Sequence, residues 1–189
     1  FHVDWDVSSA EKGGYEHFMF KEIMEQPEAI RKTISPRLKN GKIVLDDVSL
    51  SKEDLEKISK IVVLACGSAY HVGMNAKYIL EKIARIPVEV DLASEFRYRD
   101  PIIDESVLVL VISQSGETAD TLAALREAKR LGARVISIVN VVGSSIANDS
   151  DDVLYTWAGP EIAVATTKAY STQLAVVYLL ACLLYTSDA

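Results

Sequence analysis

Apolar positions change their spacing along the chain, and each change marks a new element. From Tyr15 the spacing is helical, with Phe18, Ile23 and Met24 apolar, until Pro27. Proline lacks the backbone donor and is tolerated best in a first turn, so two short helices are predicted, the second opening at Pro27. Asn40-Gly41 reads as a tight turn before IVLDDVSL, and Ser51, with Asp54 three residues on, caps a predicted helix over 51–58. The run IVVLA at 61–65 is continuously apolar and β-branched at its start, the signature of a strand buried on both faces. Val72, Ala76, Ile79, Leu80 and Ile83 then form one helical stripe that ends before Pro87. Strands are predicted at 88–92 and 107–112, a helix at 118–131 closed by Gly132, and strands at 135–139 and 153–156 with a weak helical turn over 144–148 between them. The last element, over 167–185, is an almost wholly apolar helix.

Strand and helix alternate from residue 61 onward, which implies right-handed crossovers and a doubly wound α/β fold: a five-stranded parallel sheet flanked by helices, with an N-terminal helical preamble. The layout expected is a linker over 1–14 that closes in Gly13-Gly14, a helical connecting segment over 15–51, an α/β domain over 52–185 and a doubtful tail over 186–189. Without an initiator Met, further chain is expected upstream.

Composition narrows the class. Hydrophobic residues make up 49% of 189, enough for one sizeable core. The net charge of −7 argues against a nucleic-acid partner. Both cysteines, Cys66 and Cys182, sit in apolar runs, as expected of reduced thiols in the cytoplasm. The longest apolar run, 174–185, falls short of the roughly 20 residues of a membrane span, so no membrane partner is expected. His2, His17 and His71 have no metal-ligand spacing, and no Ser/His/Asp set can be built; neither metal nor cofactor is called.

Ligands of doubly wound sheets bind at the carboxyl ends of the strands. Three loops there carry the candidate chemistry. Ser113-Gln114-Ser115-Gly116-Glu117-Thr118 runs into a helix, and its hydroxyls, amide and glycine can offer several donors to one anion beside the helix dipole. The alternative is that Thr118 is an N-cap and the serines are polar filler. Cys66-Gly67-Ser68-Ala69 follows the first strand; only Gly67 and Gly73 are present, so the dinucleotide fingerprint is broken and an oxidoreductase reading is disfavoured. Cys66 is either a small buried side chain or part of a ligand loop. In the third loop, Val164, Ala165 and Thr166 are small enough for a ligand to lie against, while Lys168 either approaches an anion or sits in solvent. Arg97 and Arg99, alternating with aromatics, mark either a packed interface or a solvated loop.

At these residues the chain resembles the glucosamine-6-phosphate synthase family. The run YEHFMFKEIMEQP at 15–27 is similar to that family's segment between its glutaminase and isomerase halves. ASEFRYR at 93–99, SQSGETADT at 113–121 and VATTK at 164–168 are similar to signatures of its first sugar isomerase (SIS) domain, whose fold is flavodoxin-like. The resemblance implies that Ser113, Gln114, Ser115 and Thr118 bind a substrate phosphate, and that Cys66, Gly67, Ser68, Val164 and Thr166 face the sugar, fructose 6-phosphate or glucosamine 6-phosphate. Two departures stand out: Ala69 lacks a hydroxyl common in the family, and Thr166 stands where Ser is common. The resemblance also implies a second SIS domain and a glutaminase domain in the same full-length chain, a homodimer, a cytoplasmic setting, and catalytic groups that lie in those other domains. The alternative in a different class is a non-catalytic sugar-phosphate-sensing module of a regulator.

Overall fold

A computed structural model describes residues 11–186. The predicted linker therefore lies outside the described residues except for 11–14, as does the doubtful tail beyond Thr186. The first element is a single helix, α1 (Phe18–Ile34), which runs straight through Pro27 rather than breaking into two. The Ile23 carbonyl that Pro27 cannot satisfy accepts instead from the Gln26 side-chain amide at 3.1 Å. Tertiary packing then holds the helix, burying Glu22, Ala29 and Thr33.

A 3-10 turn (Ser35–Arg37) leads into a two-residue hairpin of β1 (Leu38–Lys39) and β2 (Lys42–Ile43), closed by Asn40-Gly41 as predicted. Helix α2 (Lys52–Lys57) carries the predicted cap in reciprocal form: the Asp54 amide donates to Ser51 Oγ at 3.1 Å, and the Ser51 amide to Asp54 Oδ2 at 3.0 Å.

The remaining elements alternate: β3 (Lys60–Ala65), α3 (Ser68–Ile83), β4 (Val88–Leu92), α4 (Ala93–Phe96), β5 (Val107–Ser113), α5 (Ala119–Arg130), β6 (Arg134–Val139), α6 (Ser145–Asp149), β7 (Asp152–Tyr155) and α7 (Lys168–Thr186). The sheet is wholly parallel in the order β4-β3-β5-β6-β7. The five-stranded doubly wound fold read from the pattern is thus the fold observed. Helix α4 was not predicted; it turns the ASEFRYR segment so that Phe96 is buried, while Arg99 pairs with Glu89 and Asp91 of β4, each at 2.5 Å.

Alternation along the strands builds two cores. Ile61, Val63, Leu108, Leu110, Ile136 and Ile138 face α3 and α7; Val62, Leu64, Val109, Val111 and Val135 face α4, α5 and α6. Helix α7 is apolar on more than one side. Its sheet side buries Val176, Val177, Leu180 and Leu184, and α1 packs against another side, so the connecting helix supplies part of the second surface the apolar stripe requires. By length and composition α7 would suffice to cross a membrane, yet 56% of its 18-residue apolar window is buried in the protein, as in a core helix.

Candidate functional site

The strand order reverses direction between β3 and β5, and it is outside the carboxyl ends of these neighbours that a doubly wound sheet opens a crevice. A pocket of about 240 Å³ lies there, lined by Cys66, Ser68, Ala69, Ile112, Ser113, Gln114, Ser115, Thr118, Thr121, Thr166 and Gln173. It is smaller than the roughly 300–1,000 Å³ of drug-sized sites, a size that suits a small polar metabolite. The three loops singled out in the sequence meet here. Gly67 and Val164 do not line it: Gly67 turns the backbone into α3 with φ 58° and ψ −134°, and Val164 is fully exposed at 105%. Thr121 and Gln173 line it from α5 and α7, which sequence reasoning missed.

The loop after β5 is tied by its own hydroxyls. Ser113 Oγ accepts from the Gly116 amide at 3.1 Å and lies 3.2 Å from Thr118 Oγ1, while Ser115 Oγ accepts from the Glu117 amide at 3.2 Å. The two amide bonds occupy acceptor lone pairs of Ser113 and Ser115, and the Ser113–Thr118 contact spends one proton of that pair, so the Ser115 proton and one proton of the Ser113–Thr118 pair are left to point at a ligand. Thr118 occupies the N-cap position but makes no capping bond, so the first amides of α5 have no side-chain acceptor. Helix α3 likewise begins without a side-chain cap. Two uncapped helix N-termini therefore converge on one pocket that no lysine or arginine lines, and amides plus dipoles supply its positive potential.

The loop is also braced from behind. Glu117 accepts from the Ser145 amide and hydroxyl, both at 2.7 Å, and these bonds hold its carboxyl below the ordinary value. The Gly116 carbonyl accepts from the Ile146 amide at 3.0 Å. Gly116 itself, at φ +68°, lies against Ser144: a Cβ there would come within 2.0 Å of Ser144 Oγ. Opposite, Cys66 is half-buried and 3.8 Å from Thr121 Oγ1, so it lines the pocket while packing as a small side chain.

The third helix at this end, α7, is capped. Glu161 accepts from the Thr167 and Ala169 amides at 2.8 and 3.2 Å and from the Thr166 hydroxyl at 2.9 Å. Thr166 thus commits its proton to Glu161 and presents acceptor lone pairs to the pocket. The same loop is latched to α1: Glu22 Oε1 accepts from the Ile162 and Ala163 amides at 2.6 and 3.2 Å, and the residue is 2% exposed. Lys168 fits neither sequence reading. It is buried and bonded to Glu25 Oε2 of α1 at 2.7 Å, away from both solvent and the pocket. Among the described residues no group of His, Cys, Asp and Glu could hold a metal.

Fold and pocket define the class first: a doubly wound α/β domain with a small polar pocket at its switch point. The chain belongs to the SIS domain family, whose pattern matches residues 54–183. It is 67% identical over 180 residues to the glutamine–fructose-6-phosphate aminotransferase (isomerizing) of Clostridium acetobutylicum, covering 95% of this chain and 30% of that relative. The same-named protein of Caldanaerobacter subterraneus is 66% identical over 182 residues, covering 96% of this chain and again 30% of the relative. Among solved structures, the C-terminal domain of glucosamine-fructose-6-phosphate aminotransferase from Francisella tularensis superposes with a TM-score of 0.88 at 45% identity, over 94% of this chain and 50% of that one. The chain thus spans about 30% of the length of the curated relatives it matches.

Proposed function

We propose that this chain is the connecting segment and first SIS domain of a glutamine–fructose-6-phosphate aminotransferase (isomerizing), and that its switch-point pocket binds fructose 6-phosphate and glucosamine 6-phosphate. The observation that carries the reading is the convergence of the Ser113, Ser115 and Thr118 hydroxyls with two uncapped helix N-termini on one small polar pocket. The phosphate takes the donors of the loop after β5, with Gln114 beside it. Ser68, Cys66 and Thr166 lie against the sugar, and Val164 and Gly67 shape the loops that bring those residues in.

Hydrogen bonds to a charged group contribute about 1.5–3 kcal/mol each, so a few of them anchor the non-reacting end of the substrate. That anchored end fixes where the sugar's reacting carbons lie, which is how remote binding energy lowers a barrier elsewhere. Ring opening, proton transfer between the carbons and release of ammonia from glutamine fall to groups in a second SIS domain and a glutaminase domain. The proposed layout keeps 1–14 as linker, 15–51 as connecting segment, 52–185 as SIS domain and 186–189 as tail. The assembly is a cytoplasmic homodimer; the apolar groove of about 390 Å³ beside α7, lined by Ile34, Ile43, Leu174, Tyr178 and Cys182, supports a further surface docking there. The sensing-module alternative finds less support, since the relatives at 65–67% identity carry an enzyme's name.

The test is Ser115→Ala in the full-length chain. The Michaelis constant for fructose 6-phosphate should rise about tenfold or more with the fold intact. An unchanged Michaelis constant and turnover would sink the assignment.

A further inference from the structure

Gln173 is a polar lining residue to which the proposed function gives no role. It lies in the second turn of α7, is 3% exposed, and forms no side-chain hydrogen bond with any described residue. Its amide is not sealed in either: the buried side-chain polar atoms that lack both a partner and exposed surface are Glu22 Oε2, Ser137 Oγ and Ser144 Oγ. A buried, unpartnered carboxamide whose open side is the pocket is an arrangement native proteins rarely keep without a ligand or water to satisfy it.

Position and chemistry say which end of a ligand it meets. Helix α7 packs on the opposite face of the sheet from α5, so Gln173 enters from the side away from the phosphate donors. A dianion accepts hydrogen bonds only and would repel the carboxamide oxygen. A sugar hydroxyl both donates and accepts, which matches the Oε1 and Nε2 pair of one amide. We infer that Gln173 reads a hydroxyl on the sugar portion of the bound sugar phosphate and is a specificity-determining residue of the pocket. This rests on the proposed function, whose phosphate end it complements.

The experiment is calorimetric titration of the full-length chain with fructose 6-phosphate and, separately, with inorganic phosphate, for the natural protein and for Gln173→Met, which keeps the length and removes the amide. The inference expects Gln173→Met to weaken fructose 6-phosphate by about ten- to hundredfold, while leaving inorganic phosphate as it was. Gln173→Asn, which draws the amide back by one methylene, should weaken the sugar phosphate alone, and it decides the matter where Gln173→Met does not fold. Unchanged binding of both ligands, or a parallel loss of both, overturns the inference and leaves the pocket assignment standing. A natural protein that binds inorganic phosphate but no sugar phosphate overturns the proposed function and this inference with it.

Discussion

Replacing Gly116 by alanine tests how tightly the loop after β5 is built. An added Cβ would sit 2.0 Å from Ser144 Oγ and 2.5 Å from Ser144 Cβ, and the backbone there has φ +68°. Two costs follow from separate causes. Holding a non-glycine residue in the left-handed region costs roughly 1–2 kcal/mol, and forcing a methyl into a packed site costs typically 1–3 kcal/mol. The sum, about 2–5 kcal/mol, is a large share of the roughly 5–15 kcal/mol that stabilises a domain. At a urea slope of about 2 kcal/mol per molar, the unfolding midpoint should fall by about 1–2.5 M. Ser144→Gly removes both clashing atoms but leaves the backbone cost, so a double-mutant cycle separates the two. The coupling between Gly116→Ala and Ser144→Gly should be favourable by about 1–3 kcal/mol, with the remainder unrecovered. A single-variant loss under about 1 kcal/mol, or a coupling near zero, would refute the reasoning.

Two further perturbations address parts of the protein outside that loop. Glu22→Ala leaves the Ile162 and Ala163 amides without their acceptor and should cost at least about 2 kcal/mol in urea unfolding, with weaker sugar-phosphate binding; Glu22→Gln, which keeps Oε1, should retain most of both. Burial works against the charge on Asp152, yet hydrogen bonds from Ser49 and the Arg134 guanidinium outweigh it and hold the carboxyl below the ordinary aspartate value. A depressed carboxyl stabilises fully above about pH 5 and loses that contribution as pH falls through the folded value. Asp152→Asn should therefore lower stability at neutral pH and flatten the acid limb of the stability curve, and an acid limb as steep as the natural protein's would contradict the assignment.

The sheet was legible because strands buried on both faces read as unbroken apolar runs, and IVVLA and VLVLVI at 107–112 announce themselves without any partner being known. That the loop after β5 lines the pocket was legible for a similar local reason, since hydroxyls, glycine and a helix start are adjacent in sequence. What failed to show depends on contacts between distant residues. Pro27 looked like a break because its cost is local, whereas the packing of α1 against α7 that holds the helix through it is not. Lys168 looked like a solvent or anion residue because its partner, Glu25, lies on a helix far upstream. Gln173 read as one polar interruption in an apolar helix; only the placement of α7 beside β3 and β5 turns it toward the pocket. Val164 was counted among the pocket residues for its size, and the loop that carries it turns it outward.

The central claim is that the switch-point pocket holds a sugar phosphate by its phosphate. A crystal structure of the full-length chain with glucosamine 6-phosphate tests it most directly. The account predicts the phosphate within hydrogen-bonding distance of the Ser113, Ser115 and Thr118 hydroxyls and at the start of α5, with the sugar extending toward Ser68, Thr166 and Gln173. A phosphate bound anywhere else on this domain, with the loop after β5 untouched, would contradict it.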